Sequence, residues 1–410
     1  MIHVMSGRDD QTGAGTTRER ILVVCTRYIG DTVLAIPFLR NLRRAHPDAI
    51  IDVFAERAAR EVLADCPYVD ELVAWSRPRR GWLSSLSGLR EQAGWLRSRG
   101  YGRAYLLKRS TSGAILAFRA GIPHRVGFAT ECSGLLLSRA VCVHRGRHQV
   151  QAYLDLLRAE GIAVDDGRNE NWVSGPASGR GAELLAGLPS GRPLVFLAIR
   201  GSDATRFWRL ERWTQLVAWL VDHRGCEVVL CGSPDDRVDH DRLRADVGPA
   251  VAAHVHEFSQ AVPLREVGGI MLRMDLCIGV DTGLVHLAAS FRVPVVVLVG
   301  PTDPNQWSPW MTRSEVVRSP RVTRGAIDRL LSWIRPQRDA GLRWLPGRAS
   351  LADVTVDEVM CRVATLLPDA KAPVPPADMK TIDLRDVSFT YAVVSRLTDV
   401  PATKPLAHAH

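Results

Sequence analysis

Lysine is nearly missing from this chain. Of its 53 basic residues only Lys108, Lys371, Lys380 and Lys404 are lysine, and the rest are arginine. These arginines are dispersed, without a compact patch or an aromatic-interleaved stripe, which counts against nucleic acid as a partner. No apolar run approaches the roughly 20 residues needed to span a bilayer. The first twenty residues are polar and carry Asp9, Asp10 and Glu19, so they do not read as a secretory signal, and the cytoplasm is the expected location. The eight cysteines form no C-x-x-C pair, and Cys25, Cys231 and Cys277 lie in apolar runs. They read as reduced core residues, not as metal ligands or disulfides. The turn from Cys25 to Asp31 has no G-x-G-x-x-G, which argues against a dinucleotide-dependent oxidoreductase.

What is present is an α/β pattern long enough for two domains. The chain has 410 residues, 46% hydrophobic and 24% charged, with a formal charge of +9. An arginine-rich surface suits an acidic partner, such as nucleotide phosphates or an anionic membrane face. Ile21 to Cys25 predicts a buried strand, and Thr32 to Arg44 a helix with Arg40, Arg43 and Arg44 opposite its apolar face. Pro37 should kink that helix or end its first turn. Strands at 50–55, 71–75, 103–107 and 125–128 alternate with helices at 89–99, 112–119 and 149–160. A polar, Gly- and Ser-rich stretch from Asp165 to Ser190 then reads as a linker, helical only from Glu183 to Leu188. The alternation restarts with strands at 193–199, 226–231, 276–280 and 293–299. Helices are expected at 211–223, 263–273 and from Leu284. Residues 312–350 are arginine-rich and carry no clear pattern. Val354 to Leu367 predicts one more helix, and a Pro- and Ala-rich tail follows. Such alternation implies mostly parallel sheets covered on both faces, with a ligand in the cleft between two units.

The most informative stretch is Asp281-Thr282-Gly283-Leu284-Val285-His286. It follows the buried run Leu276 to Val280 and opens an alanine-rich helix. Such a turn aims unpaired N–H groups and the positive end of a helix dipole into a cleft, and Gly283 removes a Cβ that would hold a phosphate away. The same six residues also read as an Asp N-cap on an ordinary crossover. Two other stretches accompany it: Gly30-Asp31 after the first strand, and Gly300-Pro301-Thr302-Asp303-Pro304 with Trp307-Ser308-Pro309 behind it. The only DxD spacing, Asp239-His240-Asp241, reads as a solvated helix face.

Together, in this order, the three stretches resemble the glycosyltransferase family 9 proteins, the ADP-heptose:lipopolysaccharide heptosyltransferases, over roughly residues 20 to 310 and the Val354 helix. That resemblance implies a GT-B architecture, two Rossmann-like domains with mostly parallel sheets facing a central cleft. It implies inverting sugar transfer without an essential metal, and no cofactor beyond a nucleotide-sugar co-substrate, ADP-heptose. Asp31 falls where the family has its general base; as a helix N-cap it would have a structural role instead. Asp281, Thr282, Gly283 and His286 match the diphosphate turn, although His286 reads equally well as packing. The family's H-P-G-A and K-R-W-P loop is here Ala198-Ile199-Arg200-Gly201, then Arg206-Phe207-Trp208-Arg209. Its lysine becomes Arg206 and its His-Pro pair is absent.

Asp235, Asp236 and Val262 are the expected contacts to the nucleoside, the carboxylates to ribose hydroxyls and Val262 under the base. Arg27, Arg109 and Arg125 are candidates for an anionic glycolipid or glycan acceptor, met at the inner membrane face. The expected division is an N-terminal extension (1–19), an acceptor-side domain (20–170), a linker (171–192), a nucleotide-sugar domain (193–367) and a peripheral tail (368–410). Transfer to a small-molecule acceptor, or non-catalytic nucleotide-sugar binding, are the alternatives.

Overall fold

The computed structural model describes residues 18–25, 28–74, 82–130, 133–144, 146–201, 206–259, 262–300, 302–318 and 351–367. The first domain runs β1 (Arg20–Val24), α1 (Ile29–Leu34), α2 (Ile36–Ala45), β2 (Ile50–Ala55), α3 (Arg57–Val62) and β3 (Glu71–Ala74). It continues with α4 (Trp82–Ser98), β4 (Arg103–Leu106), α5 (Thr111–Arg119), β5 (His124–Phe128), β6 (Arg139–Val141) and α6 (Gln149–Arg158). The second runs α7 (Gly175–Leu185), β7 (Leu194–Ala198), α8 (Leu210–Asp222), β8 (Glu227–Leu230), α9 (Arg237–Asp246), α10 (Pro249–Ala252) and β9 (Val255–Glu257). Then come α11 (Leu264–Met271), β10 (Leu276–Val280), α12 (Gly283–Ser290), β11 (Val295–Val299), α13 (Pro304–Trp307), β12 (Ser314–Arg318) and α14 (Val356–Leu366).

Among the described residues the strands form two six-stranded sheets, β3-β2-β1-β4-β5-β6 and β12-β11-β10-β7-β8-β9. Each neighbouring pair is parallel. Counted from its own first strand, each sheet has the order 3-2-1-4-5-6, the doubly wound arrangement of a Rossmann-like domain. Strand order reverses between β1 and β4 in one sheet and between β7 and β10 in the other, and ligands bind outside the strand C-termini at such points. The central strands are apolar on both faces because helices cover both. Ile21 to Val24 and Leu276 to Val280 are buried throughout, as parallel sheets require.

The expected break at Pro37 is present. Helix α1 ends at Leu34 and α2 begins at Ile36, with Pro37 in its first turn, where the missing N–H costs nothing. Arg40, expected on the solvent face, is buried instead. It meets Asp166 Oδ1 at 2.9 Å and Glu170, and Tyr68 donates to the same Glu170 carboxylate at 2.7 Å. These contacts fasten the stretch after α6 to the first domain.

The linker expectation is corrected in part, because Gly175 to Leu185 is a helix. It crosses α11 so closely that a Cβ on Gly181 would lie 2.3 Å from the Gly269 carbonyl carbon, and one on Gly269 would lie 2.2 Å from the Ala177 oxygen. The patternless region contributes β12, paired with β11 at the sheet edge. Among the described residues five cysteines are buried as expected, but Cys142 and Cys361 are exposed. Asp239 faces Arg200 at 3.2 Å and Asp241 faces Arg237, so the DxD carboxylates pair with arginines on the α9 surface. The N-terminal extension before Arg18 and the tail after Leu367 lie outside the described residues.

Candidate active site

Loops from both reversal points meet across the cleft. On the first domain these are the β1–α1 turn with Asp31 and the segment after β4 with Arg109. On the second they are the segment after β7 with Arg206 and the β10–α12 turn. Two glycines let the domains touch here. A Cβ on Gly30 would lie 2.7 Å from His286 Cδ2, and one on Gly283 would lie 2.5 Å from Ile29 Cβ and 3.1 Å from the Gly30 nitrogen. Gly283 thus serves close approach of the facing domain as well as an open helix start.

Asp31 lies in the first turn of α1, and the N-cap position belongs to Tyr28, without a side-chain capping bond. Capping is therefore not the task of Asp31. Burial pushes its carboxyl up to about 6, with Asp281 adding to the rise and His286, Arg109 and Arg206 opposing it. A carboxyl that titrates near neutrality in a cleft is suited to take a proton. Arg109 faces it from the end of β4. Its Nη2 donates to Gln149 Oε1 at 2.9 Å and its guanidinium lies 4.9 Å from the Phe128 ring centroid. Burial lowers the Arg109 pKa, while Tyr153 and Asp31 oppose the fall.

The β10–α12 turn leaves its helix without a side-chain cap, unlike the Asp N-cap alternative for the same six residues. The residue at the N-cap of α12 is Thr282, not Asp281, and no side chain caps the helix. Its first N–H groups are thus left for another acceptor. Asp281 is buried, with Oδ2 3.3 Å from Arg206 Nη1 and Oδ1 3.7 Å from His286 Nε2. Arg206 Nη1 also donates to the Asp281 carbonyl at 2.9 Å. Burial favours the protonated acid, but His286, Arg206 and the Thr302 hydroxyl outweigh it and hold the carboxyl below its usual range. The Asp281 carboxylate thus lies between Arg206 and His286, its charge directed at these two groups. Gly201 allows Arg206 to lie close beside it, since a Cβ there would meet Arg206 Cβ at 2.6 Å.

Other expected residues fare unevenly. Asp236 has one carboxylate oxygen engaged in a capping box, accepting from the Ser233 N–H at 2.8 Å and its hydroxyl at 3.0 Å, which weighs against its assignment to ribose. Asp235 has an exposed side chain, and its carbonyl accepts from Arg200 at 2.9 Å. Val262 is buried in the same core cluster as Cys231 and Leu287. Arg125 is the second residue of β5, at the strand end away from the cleft. Its guanidinium is occupied by the carbonyls of Leu136, Ile122 and Pro123. It is therefore removed from the acceptor candidates. Arg27 lies outside the described residues.

Sequence reading missed the contact made by His148, the residue before α6. His148 stacks on Trp310 with centroids 4.2 Å apart, and its Nε2 donates to the Ser308 carbonyl at 3.0 Å. Its Nδ1 accepts from the Val150 N–H, which requires a neutral ring, and burial lowers its pKa to about 4. Trp307 and Trp310 pack against the first-domain core. The Trp307-Ser308-Pro309 motif was visible in the sequence, but nothing local named its partner.

Comparison with known proteins agrees with this geometry. The model for glycosyltransferase family 9 (heptosyltransferase) matches residues 91–328. Lipopolysaccharide heptosyltransferase 2 of Escherichia coli K12 is 28% identical over 308 residues, 73% of this chain and 88% of that protein. Lipopolysaccharide heptosyltransferase 1 of the same strain is 25% identical over 318 residues, 74% of this chain and 94% of that protein. Among solved structures, E. coli ADP-heptose lps heptosyltransferase II superposes with a TM-score of 0.68 at 24% identity, covering 85% of this chain and 98% of that one. A family 9 glycosyltransferase from Veillonella parvula gives 0.68 at 22% identity, covering 85% and 97%. With the family model spanning more than half of its length, this chain belongs to glycosyltransferase family 9.

Proposed function

We propose that the protein transfers heptose from ADP-heptose to a hydroxyl of a lipopolysaccharide core, with inversion at the anomeric carbon. The observation that carries the reading is the facing of an acidic and a cationic environment across one cleft. Asp31 is a carboxyl poised to gain or lose a proton near pH 6. Opposite it stands the uncapped α12 N-terminus, with Arg206 held in place by Asp281. The names of the relatives supply the sugar and the acceptor class.

In this reading Asp31 accepts the proton of the acceptor hydroxyl as its oxygen attacks the anomeric carbon, and the bond from that carbon to the diphosphate oxygen breaks. The charge appearing on ADP is met by Arg206 and by the N–H groups of Gly283 and its neighbours. Thr282 lines the same turn, and His286 supplies a ring N–H beside it. Asp235 and Val262 remain the candidates for the nucleoside, and Arg109 for an acceptor anion as well as for Asp31. Among the described residues no helix is long and apolar enough to cross a membrane, so the enzyme would meet a glycolipid peripherally, from the cytoplasmic side.

The test is ADP release from ADP-heptose with a heptose-deficient core acceptor, comparing the native enzyme with Asp31→Asn. The variant should bind donor normally in calorimetry and lose about two to four orders of magnitude in turnover. Normal turnover would remove Asp31 from its role. Full activity in EDTA is expected, because Arg206 and backbone N–H groups are assigned the leaving-group charge.

A further inference from the structure

Arg109 is the cation nearest in kind to a partner for Asp31 on its own domain, yet it follows a strand end and is braced from one side only. Its described hydrogen bond is to Gln149 Oε1, at 2.9 Å, and its Nε is buried without a hydrogen-bond partner among the described residues. Gln149 is itself buried, as the first residue of α6. It is also hydrogen-bonded to Tyr153, one turn along the helix, which faces Asp31. The residue before it, His148, is the one gripped by Trp310 and the Ser308 carbonyl of the second domain. Thus the start of α6 touches the second domain through one residue and the counter-cation of the base through the next.

We propose that Gln149 is a positioning residue for the transfer reaction: it holds the Arg109 guanidinium toward Asp31, and the His148 contact with the second domain fixes Gln149 in turn. The catalytic meaning of this arrangement rests on Asp31 being the base. The physical reasoning is that a guanidinium with a buried, unsaturated Nε has a reason to swing elsewhere unless its fork is tied. An amide oxygen ties it without adding charge, where a carboxylate would neutralise it and leave Asp31 without net attraction. The other groups facing Asp31 are His286 and Asp281 from the β10–α12 turn, Arg206 from the segment after β7 and Tyr153 from α6. None of these is altered by a change at Gln149 except through Tyr153, whose hydroxyl stays neutral because burial raises its pKa well above the usual value.

The test follows the Asp31 carboxyl directly, by carbon NMR of the full chain labelled at aspartate carboxyls, with its resonance identified by its loss in Asp31→Asn. No substrate is needed, so the outcome is independent of which sugar is transferred. Gln149→Met, similar in length but without the amide, should move the Asp31 midpoint upward by about half to one pH unit. Arg109→Met should move it at least as far, and the double variant no further than Arg109→Met alone. In turnover assays Gln149→Met should shift the acid limb of the kcat profile by the same amount while the donor KM stays constant. Gln149→Ala serves the same comparison if Gln149→Met does not fold. An unmoved midpoint in both Gln149 variants, or shifts that add to those of Arg109→Met, would overturn the proposal.

Discussion

The buried carboxyl of Asp31 costs the fold something, and the cost has a sign. An unfolded aspartate titrates near about 4, whereas the folded protein holds this proton up to about 6. The folded state therefore binds more protons than the unfolded state between those values. Stability falls as pH rises through that window, by up to about 3 kcal/mol once both are ionised. Asp31→Asn should consequently raise Tm at pH 8, the advantage fading as pH approaches 4, even as the same substitution is expected to slow transfer. A melting series across pH checks this; equal Tm values at pH 8 would show that the site does not hold the charge at a cost. Turnover of the native enzyme should fall below about pH 6 as the same group takes up its proton. At this scale the sequence was informative where chemistry is local. Asp31 and the 281–286 turn sit in strand-to-helix junctions whose residue types announce themselves. Arg109 and Arg125 were alike as letters; only their places, after β4 and at the start of β5, separate a cleft residue from one that satisfies three carbonyls.

Among the elements, the crossing of α7 and α11 was the least visible in advance. Glycine lowers helix propensity, so Gly175, Gly179 and Gly181 made the segment look like a flexible connection. In the fold the missing side chain of Gly181, facing Gly269 of α11, is what allows the two backbones to meet. Gly269→Ala would place a methyl carbon 2.2 Å from the Ala177 oxygen, and backbone cannot yield as a side-chain tip can. A loss of about 2–4 kcal/mol is expected, at or above the usual range for overpacking. Gly94→Ala, exposed in α4 with open space around its added carbon, should instead gain about 0.5–1 kcal/mol. Denaturant titration of the two variants checks the pair; similar stabilities would mean the helices are not in contact. Strand β12 escaped notice for a related reason, since a polar edge strand is defined by its neighbour and not by its own alternation.

At the scale of the whole molecule, the two domains are joined by more than the cleft residues. Trp310 leaves the second domain, stacks on His148 and donates from Nε1 to the Gly167 carbonyl at 2.7 Å. Trp310→Ala would remove an aromatic stack, a hydrogen bond and part of a core contact, together about 2–4 kcal/mol of coupling. Calorimetry should then resolve two unfolding transitions where the native chain shows one; a single transition with unchanged Tm would show that the domains are coupled elsewhere. That the sheets are mostly parallel and covered on both faces was readable from strand–helix alternation and apolar runs; the order of their strands was not. The joining of the domains was not, because it depends on residues far apart in sequence.

The path of the chain between domains has one more consequence. Asp166 and Glu170 are held by Arg40, Trp172 packs edge-on against Tyr68 at 5.3 Å, and the Ser174 N–H donates to Asp65. Those contacts tie the stretch to the first domain, while Val173 already packs with Val267 and Phe291 in the second-domain core and α7 is welded to α11. The changeover on this side falls within Trp172 to Ser174, where neighbouring residues are held by opposite domains. On the return crossing it falls between Val299 and the anchored Trp307. A pivot so short permits turning and little sliding, so the machinery of the two halves keeps its lateral alignment however wide the mouth stands.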